Sequence, residues 1–199
     1  MAKSLDGPVS RYLNRRISVP MARALRGTPI TPNQVSVAAL LMAAGALWLL
    51  AIGRNVEAAL LIQASSIVDG VDGDLARVKN MASRFGGIFD ATLDRYADCL
   101  IAGGLAWYAL EYEQEDRALL VGFAAAVSFL LVSYSRARLE TVAGKDAVAD
   151  LLGIASRDVR LLLLALGALV GQAYWTLIAV AALSYATVAW RLWRFRTAV

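Results

Sequence analysis

The sequence predicts an all-α integral membrane protein, six transmembrane helices preceded by an amphipathic helix on the membrane surface. Three observations carry this. Residues 35–52 and 118–135 are each free of charge for 18 positions, and 161–190 for 30, long enough to cross a hydrocarbon layer of about 30 Å. The composition is 59% hydrophobic with a mean hydropathy of +0.56, richer than the roughly half-apolar makeup of soluble domains. The basic residues also divide unevenly. With both termini cytoplasmic, 17 of the 20 Lys and Arg fall inside, Arg54 and Arg117 outside, and Arg95 within a span. Cytoplasmic loops carry such an excess; five spans would leave Arg191, Arg194 and Arg196 outside.

The chain reads as one domain, an interfacial helix over 1–30 and a bundle over 31–199. Within 3–27, Val9, Leu13, Ile17, Met21 and Leu25 recur every fourth residue, with Arg11, Arg15, Arg16, Arg23 and Arg26 between them. That pattern predicts a helix lying on an anionic leaflet, kinked at Pro20. A nucleic-acid-binding arm is the rival, and the adjoining span argues against it, so no nucleic-acid partner is expected. Thr31 and Pro32 read as N-cap and first helical position, opening a span over roughly 33–52. Gly53, Arg54 and Asn55 form a turn. The second span covers about 56–78, the third 84–110 and the fourth 117–137, with an acidic outer loop at Glu111, Glu113, Glu115 and Asp116. A polar connection over 145–156 leads to Arg157. The forty residues from Arg157 to Arg196 hold two crossings, turning near 171–174.

Chemistry concentrates in 65–99. Asp69, Asp72, Asp90 and Asp94 are spaced three, eighteen and four apart. Spacings of three or four return a side chain to one helix face, and the polar segment 77–83 turns one helix back on the other. Two acidic faces therefore oppose each other. Four carboxylates in an apolar setting repel, and divalent cations relieve that; oxygen ligands suit Mg²⁺, Mn²⁺ or Ca²⁺. Gly73 and Ala76 leave a trough beside the carboxylates, and Arg77 stands at its rim, able to fork onto phosphate. Asp98, one turn beyond Asp94, is expected to support the ligands. Charges at membrane depth are costly and usually functional, which makes a purely structural subunit a poor account of them.

The string Asp69-x-x-Asp72-Gly73-x-x-Ala76-Arg77, then eight residues, Gly86, three residues, Asp90, three residues and Asp94 resembles the CDP-alcohol phosphotransferase signature without a gap. The resemblance implies a membrane enzyme with two divalent cations, Mg²⁺ before Mn²⁺, that joins a CDP-linked alcohol to an acceptor hydroxyl and releases CMP. It implies metal ligation by Asp69, Asp72, Asp90 and Asp94, with Asp94 also the base; spacing alone does not separate ligand from base. Nucleotide contacts would fall to Gly73, Ala76, Arg77, Gly86 and Asn33. A homodimer in the cell inner or plasma membrane is expected, its active site on the cytoplasmic side.

The segment from Asp6 to Ser18, followed by 28–33, is similar to the membrane domain of di-myo-inositol phosphate phosphate synthases. This implies CDP-inositol as donor and inositol phosphate as acceptor. Those relatives often carry a fused cytidylyltransferase domain, and nothing in these 199 residues reads as one. A phospholipid synthase using CDP-diacylglycerol with inositol phosphate or glycerol phosphate is the alternative. Arg136, Arg138, Arg157 and Arg160 reach the active-site side and read as an anion pocket for a phosphorylated acceptor; membrane-flanking charge is the plainer account of each. A cation transporter would use the carboxylates but has no need of Gly73, Ala76 and Arg77 at fixed places, and no internal repeat supports it. The absence of histidine excludes imidazole catalysis, and the single Cys99 excludes a disulfide framework.

Overall fold

Every regular element among the described residues is helical. The computed structural model describes residues 7–149 and 155–196, without the side chains of 145–149. A π-helical turn, Ser10–Asn14, leads into α1 (Arg15–Ala24) and a 3₁₀ turn, Leu25–Gly27. Then follow α2 (Pro32–Ala51), α3 (Asn55–Val78), α4 (Arg84–Tyr112), α5 (Ala118–Ala149), α6 (Arg157–Leu169) and α7 (Ala173–Arg196). The predicted start of α2 is present as a full capping box: the Thr31 hydroxyl accepts from the Gln34 amide, and the Gln34 side chain accepts from the Thr31 amide. Of the predicted polar connection over 145–156, residues 145–149 continue α5 and 150–154 lie outside the described residues, as does the chain before Gly7.

Small residues allow the helices to approach closely. α2 packs on α3 and α4, α3 on α6, α4 on α5, and α5 on α7. The main core holds Ala43, Ala46, Ala58, Ala97, Ala102 and Ala106 beside Leu50, Ile62, Leu105 and Leu164, all buried. A Cβ on Gly104 would lie 2.9 Å from the Leu47 Cα, so only glycine lets α4 meet α2 there.

Among the described residues, three helices are long and apolar enough to cross a membrane: Pro32–Ala51, Ala118–Gly144 and Ala173–Arg196. Their outer faces are apolar too, with Leu41, Trp48, Leu120, Phe123 and Trp175 exposed, a surface of the kind that suits lipid. α3 and α4 carry the aspartates, and α6 has 13 residues. The predicted fourth span runs further than its expected end: α5 stays helical until Gly144, whose φ of 81° breaks it. Gly171, at φ 65°, closes the tight turn between α6 and α7.

The N-terminal helix is organised differently from the prediction. Pro20 lies inside a continuous α1, and the irregular turn is the π-helical one before it. Leu13 and Ile17 remain 44% and 43% exposed, while Asn14, Ser18 and Ala22 are buried against α3. A polar and small stripe faces protein, and the apolar stripe faces outward with the arginines at its flanks. Asn14 donates to the Ser66 hydroxyl at 3.1 Å and accepts from Gln63 at 3.2 Å. At the near end the Ser10 amide donates to Asp158 of α6 at 2.5 Å.

Candidate active site

The last turns of α3 and the first turns of α4 form the hairpin that the acidic spacing predicted. Asn80 takes a left-handed φ of 55° in its turn, and Ser83 caps α4 by accepting from the Gly86 amide at 2.9 Å. Lys79 ties the hairpin to the segment before α2, donating at 2.7 Å to both the Thr28 and Ile30 carbonyls. That clamp brings Pro32, Asn33 and Ser36 over the hairpin.

Oxygens of Asp69, Asp90 and Asp94 lie within 4.8 Å of one another. Asp72 sits beside them, accepting from the Ser36 hydroxyl and the Gly73 amide. A residue of α6 enters this cluster. The Arg157 Nη1 is 2.6 Å from Asp69 Oδ2 and 3.0 Å from Asp94 Oδ1, and its Nε donates to Asp98 at 3.0 Å. Asp98, 2% exposed, also pairs with Arg95 at 3.3 Å and faces Arg160 at 3.8 Å. It thus sits behind the cluster holding arginines, the supporting place expected of it.

The donor set fits a divalent cation. Three carboxylates converge, all their ligand atoms are hard oxygens, and the buried Asp94 Oδ1 has the Arg157 ion pair but no well-formed hydrogen bond among the described residues. A void of about 10 Å³ between Ser36, Ser65, Asp69, Asp94 and Arg157 is of single-ion or single-water size.

Two cavities flank the carboxylates. The first, about 200 Å³, is lined by Asn33, Gly73, Ala76, Arg77, Gly86 and Asp90, among others. All five sequence-predicted nucleotide residues are therefore brought together. A Cβ on Gly73 would meet nothing of the protein closer than 3.7 Å, so the missing side chain leaves space in the cavity and relieves no crowding. The second cavity, about 690 Å³, opens on the other side between α4, α5, α6 and α7. Asp94, Arg95, Arg136, Arg157, Arg160 and Arg191 contribute to its wall.

Three of the four arginines predicted for an anion pocket meet there, and Arg138 does not. It follows Arg136 by two residues on α5, about 200° around the helix, and is exposed outside the lining. Arg191 and Arg95 were missed. Arg191, 2% exposed, donates to the Val132 carbonyl at 2.7 Å and the Ser135 hydroxyl at 3.1 Å. Arg160, 3% exposed, lies over the Phe129 ring at 4.7 Å, with its Nε and Nη1 lacking hydrogen-bond partners among the described residues. The signal for Arg191 was its place at the end of a 30-residue uncharged run, where it resembles any flanking charge.

With this geometry, comparison with known proteins is specific. A family profile described as CDP-alcohol phosphatidyltransferase matches residues 29–186. The chain is 46% identical over 192 residues to the bifunctional IPC transferase and DIPP synthase of Rubrobacter xylanophilus, covering 96% of this chain and 43% of that protein. It thus spans less than half the length of the bifunctional relatives it matches. It is 32% identical over 162 residues to the phosphatidylinositol phosphate synthase of Mycobacterium marinum, covering 80% and 67% of the two chains. The crystal structure of the Mycobacterium tuberculosis phosphatidylinositol phosphate synthase with CDP-DAG bound superposes with a TM-score of 0.75 at 27% identity, over 89% of this chain and 92% of that one. The same synthase in complex with manganese and citrate gives 0.75 at 28%, over 88% and 87%.

Proposed function

The chain belongs to the CDP-alcohol phosphatidyltransferase family, and from that membership we propose that it transfers a substituted phosphate from CDP-inositol to inositol phosphate. The product is di-myo-inositol phosphate phosphate, and CMP leaves. The acceptor hydroxyl oxygen attacks the phosphorus that carries the donor alcohol, the P–O bond to CMP breaks, and the hydroxyl proton passes to Asp94. Asp69, Asp72, Asp90 and Asp94 would hold two divalent cations, Mg²⁺ before Mn²⁺. Bound there, the ions supply charge neutralisation for the diphosphate.

The protein's own groups divide the remaining work. Gly73, Ala76 and Gly86 leave room for the nucleotide, Asn33 borders it, and Arg77 meets the diphosphate. Asp94 faces the second cavity and Asp90 the first, so donor and acceptor approach the carboxylates from opposite sides. Ser36 fixes one Asp72 oxygen, and Asp98 aligns Arg157.

The observation that carries the acceptor assignment is Arg160: a buried guanidinium with two nitrogens that lack hydrogen-bond partners among the described residues, in a cavity walled by Arg95, Arg136, Arg157 and Arg191. A neutral polyol supplies no charge to that wall, whereas a phosphate monoester brings close to two negative charges near neutral pH. The resemblance to phosphatidylinositol phosphate synthases and the 0.75 superposition on the form with CDP-DAG bound favour a second donor, CDP-diacylglycerol, with the same class of acceptor. Six transmembrane spans, cytoplasmic termini and a homodimer belong to this proposal. The test is CMP release by purified protein from CDP-inositol and CDP-diacylglycerol, each with inositol, inositol phosphate and glycerol phosphate. Inositol phosphate should far exceed inositol with either donor. Equal use of free inositol would return the arginines to membrane-flanking charges.

A further inference from the structure

The N-terminal helix reaches the nucleotide cavity through a chain of buried contacts. Ser18 of α1 is 1% exposed, and its hydroxyl donates to Asp74 Oδ2 at 2.8 Å. The other oxygen of Asp74 accepts from Arg77 Nη2 at 2.5 Å. Asp74 is itself 7% exposed, whereas the Arg77 side chain is 60% exposed and borders the cavity. A long, solvated arginine has many rotamers, and fixing one of them costs entropy. A buried carboxylate with one oxygen held by Ser18 restricts it to the rotamer that lies over the hairpin. Neither Ser18 nor Asp74 lines the cavity.

We propose that α1 is a positioning strap for the donor side of the site, acting through Ser18 and Asp74 on Arg77. Ser18 and Asp74 are positioning residues; Arg77 alone touches the nucleotide diphosphate. The strap has purchase because the chain leading into it is anchored. The Ser10 amide holds Asp158 on α6, and Gly7 lies so close to Asp158 and Ser156 that any Cβ would collide with them. Asn14 is held by Ser66 and Gln63 of α3 between that anchor and Ser18. The outward face of the same helix carries Leu13, Ile17 and Met21, so the element resting on the lipid surface is also the one that sets a substrate-facing arginine.

This inference rests on the assignment of the first cavity to the nucleotide, and the experiment separates the two. Equilibrium binding of CMP in the presence of Mn²⁺ is measured on the full chain in detergent, for wild type, Ser18→Ala, Ser18→Thr and Asp74→Asn. Binding of Mn²⁺ alone and the melting temperature are followed in parallel. Loosening the hold of Asp74 on Arg77, from behind in Ser18→Ala and directly in Asp74→Asn, should weaken CMP about five- to tenfold. Ser18→Thr, which keeps the hydroxyl, should restore it, and Mn²⁺ affinity should not move. Unchanged CMP affinity in both variants overturns the strap. So does a loss of CMP affinity matched by a loss of Mn²⁺ affinity, which marks general loosening of the hairpin. Wild-type protein that binds Mn²⁺ but no CMP refutes the nucleotide assignment itself, and the strap with it.

Discussion

Replacing Arg157 by alanine removes a guanidinium that touches three of the aspartates at once. Its Nη1 lies 2.6 Å from Asp69 and 3.0 Å from Asp94, and its Nε 3.0 Å from Asp98. The Arg157 side chain is 20% exposed, Asp69 23%, Asp94 17% and Asp98 2%. Exposed pairs contribute about 0–1 kcal/mol, and breaking a fully buried pair costs about 3–5 kcal/mol. This half-buried cluster falls between, at about 2–4 kcal/mol. For a chain of this size each kcal/mol lowers Tm by about 2–4 °C, so the metal-free variant should melt about 4–16 °C below wild type. A divalent cation bound by the same carboxylates replaces the missing positive charge, and the deficit should shrink to a few degrees or less. The assay is intrinsic tryptophan fluorescence on heating in detergent, in EDTA and in excess MnCl₂. An equal deficit in both conditions would refute the idea that Arg157 and the cation share these oxygens.

Other outcomes follow from the same geometry. Asp69→Asn, Asp72→Asn and Asp90→Asn should each abolish divalent-dependent CMP release with the melting curve still cooperative; full activity in two of them would remove the metal assignment. Gly73→Leu should abolish CMP binding by filling the cavity while Mn²⁺ binding persists, since its Cβ meets nothing closer than the Arg77 guanidinium at 3.7 Å; retained CMP affinity would place the nucleotide elsewhere. In a Cys99→Ala background, single cysteines at Glu113 and Gln172 should react with an impermeant reagent from outside, and one at Lys79 only from the cytoplasmic side. Labelling of Lys79 from outside would invert the topology.

The parts legible in the sequence were those written in local periodicity. Thr31-Pro32-Asn33-Gln34 announces a helix start because a cap is satisfied within four residues. The aspartate pairs announce a shared face because three- and four-residue spacings are fixed by the helix alone. What stayed hidden depends on long-range partners. Ser18 sits on a helix whose apolar stripe drew attention to the opposite face, and Asp74, 56 positions further on, has no periodic signal of its own. Glu113 looked like one more acid in an outer loop, yet its carboxylate accepts from the Ala173 and Tyr174 amides at 2.6 and 2.9 Å and caps α7. Arg138 failed for the converse reason. Two positions from Arg136, it shared a neighbourhood in sequence but points away around the helix.

The Asn55 side chain donates to the Ala168 carbonyl at 2.8 Å, and that single bond sets a depth scale for the chemistry. It levels the far ends of α3 and α6. Asp69 lies fourteen residues along α3 from that level, about 21 Å, and Arg157 eleven residues along α6, about 17 Å. A hydrocarbon layer of about 30 Å with one boundary at Asn55 extends roughly 10 Å beyond the carboxylates. The whole of α6 is about 20 Å long, shorter than such a layer. Measured from that level, Asp69 and Arg157 stand within about 4 Å of the same depth on their two helices, which is how they come to meet.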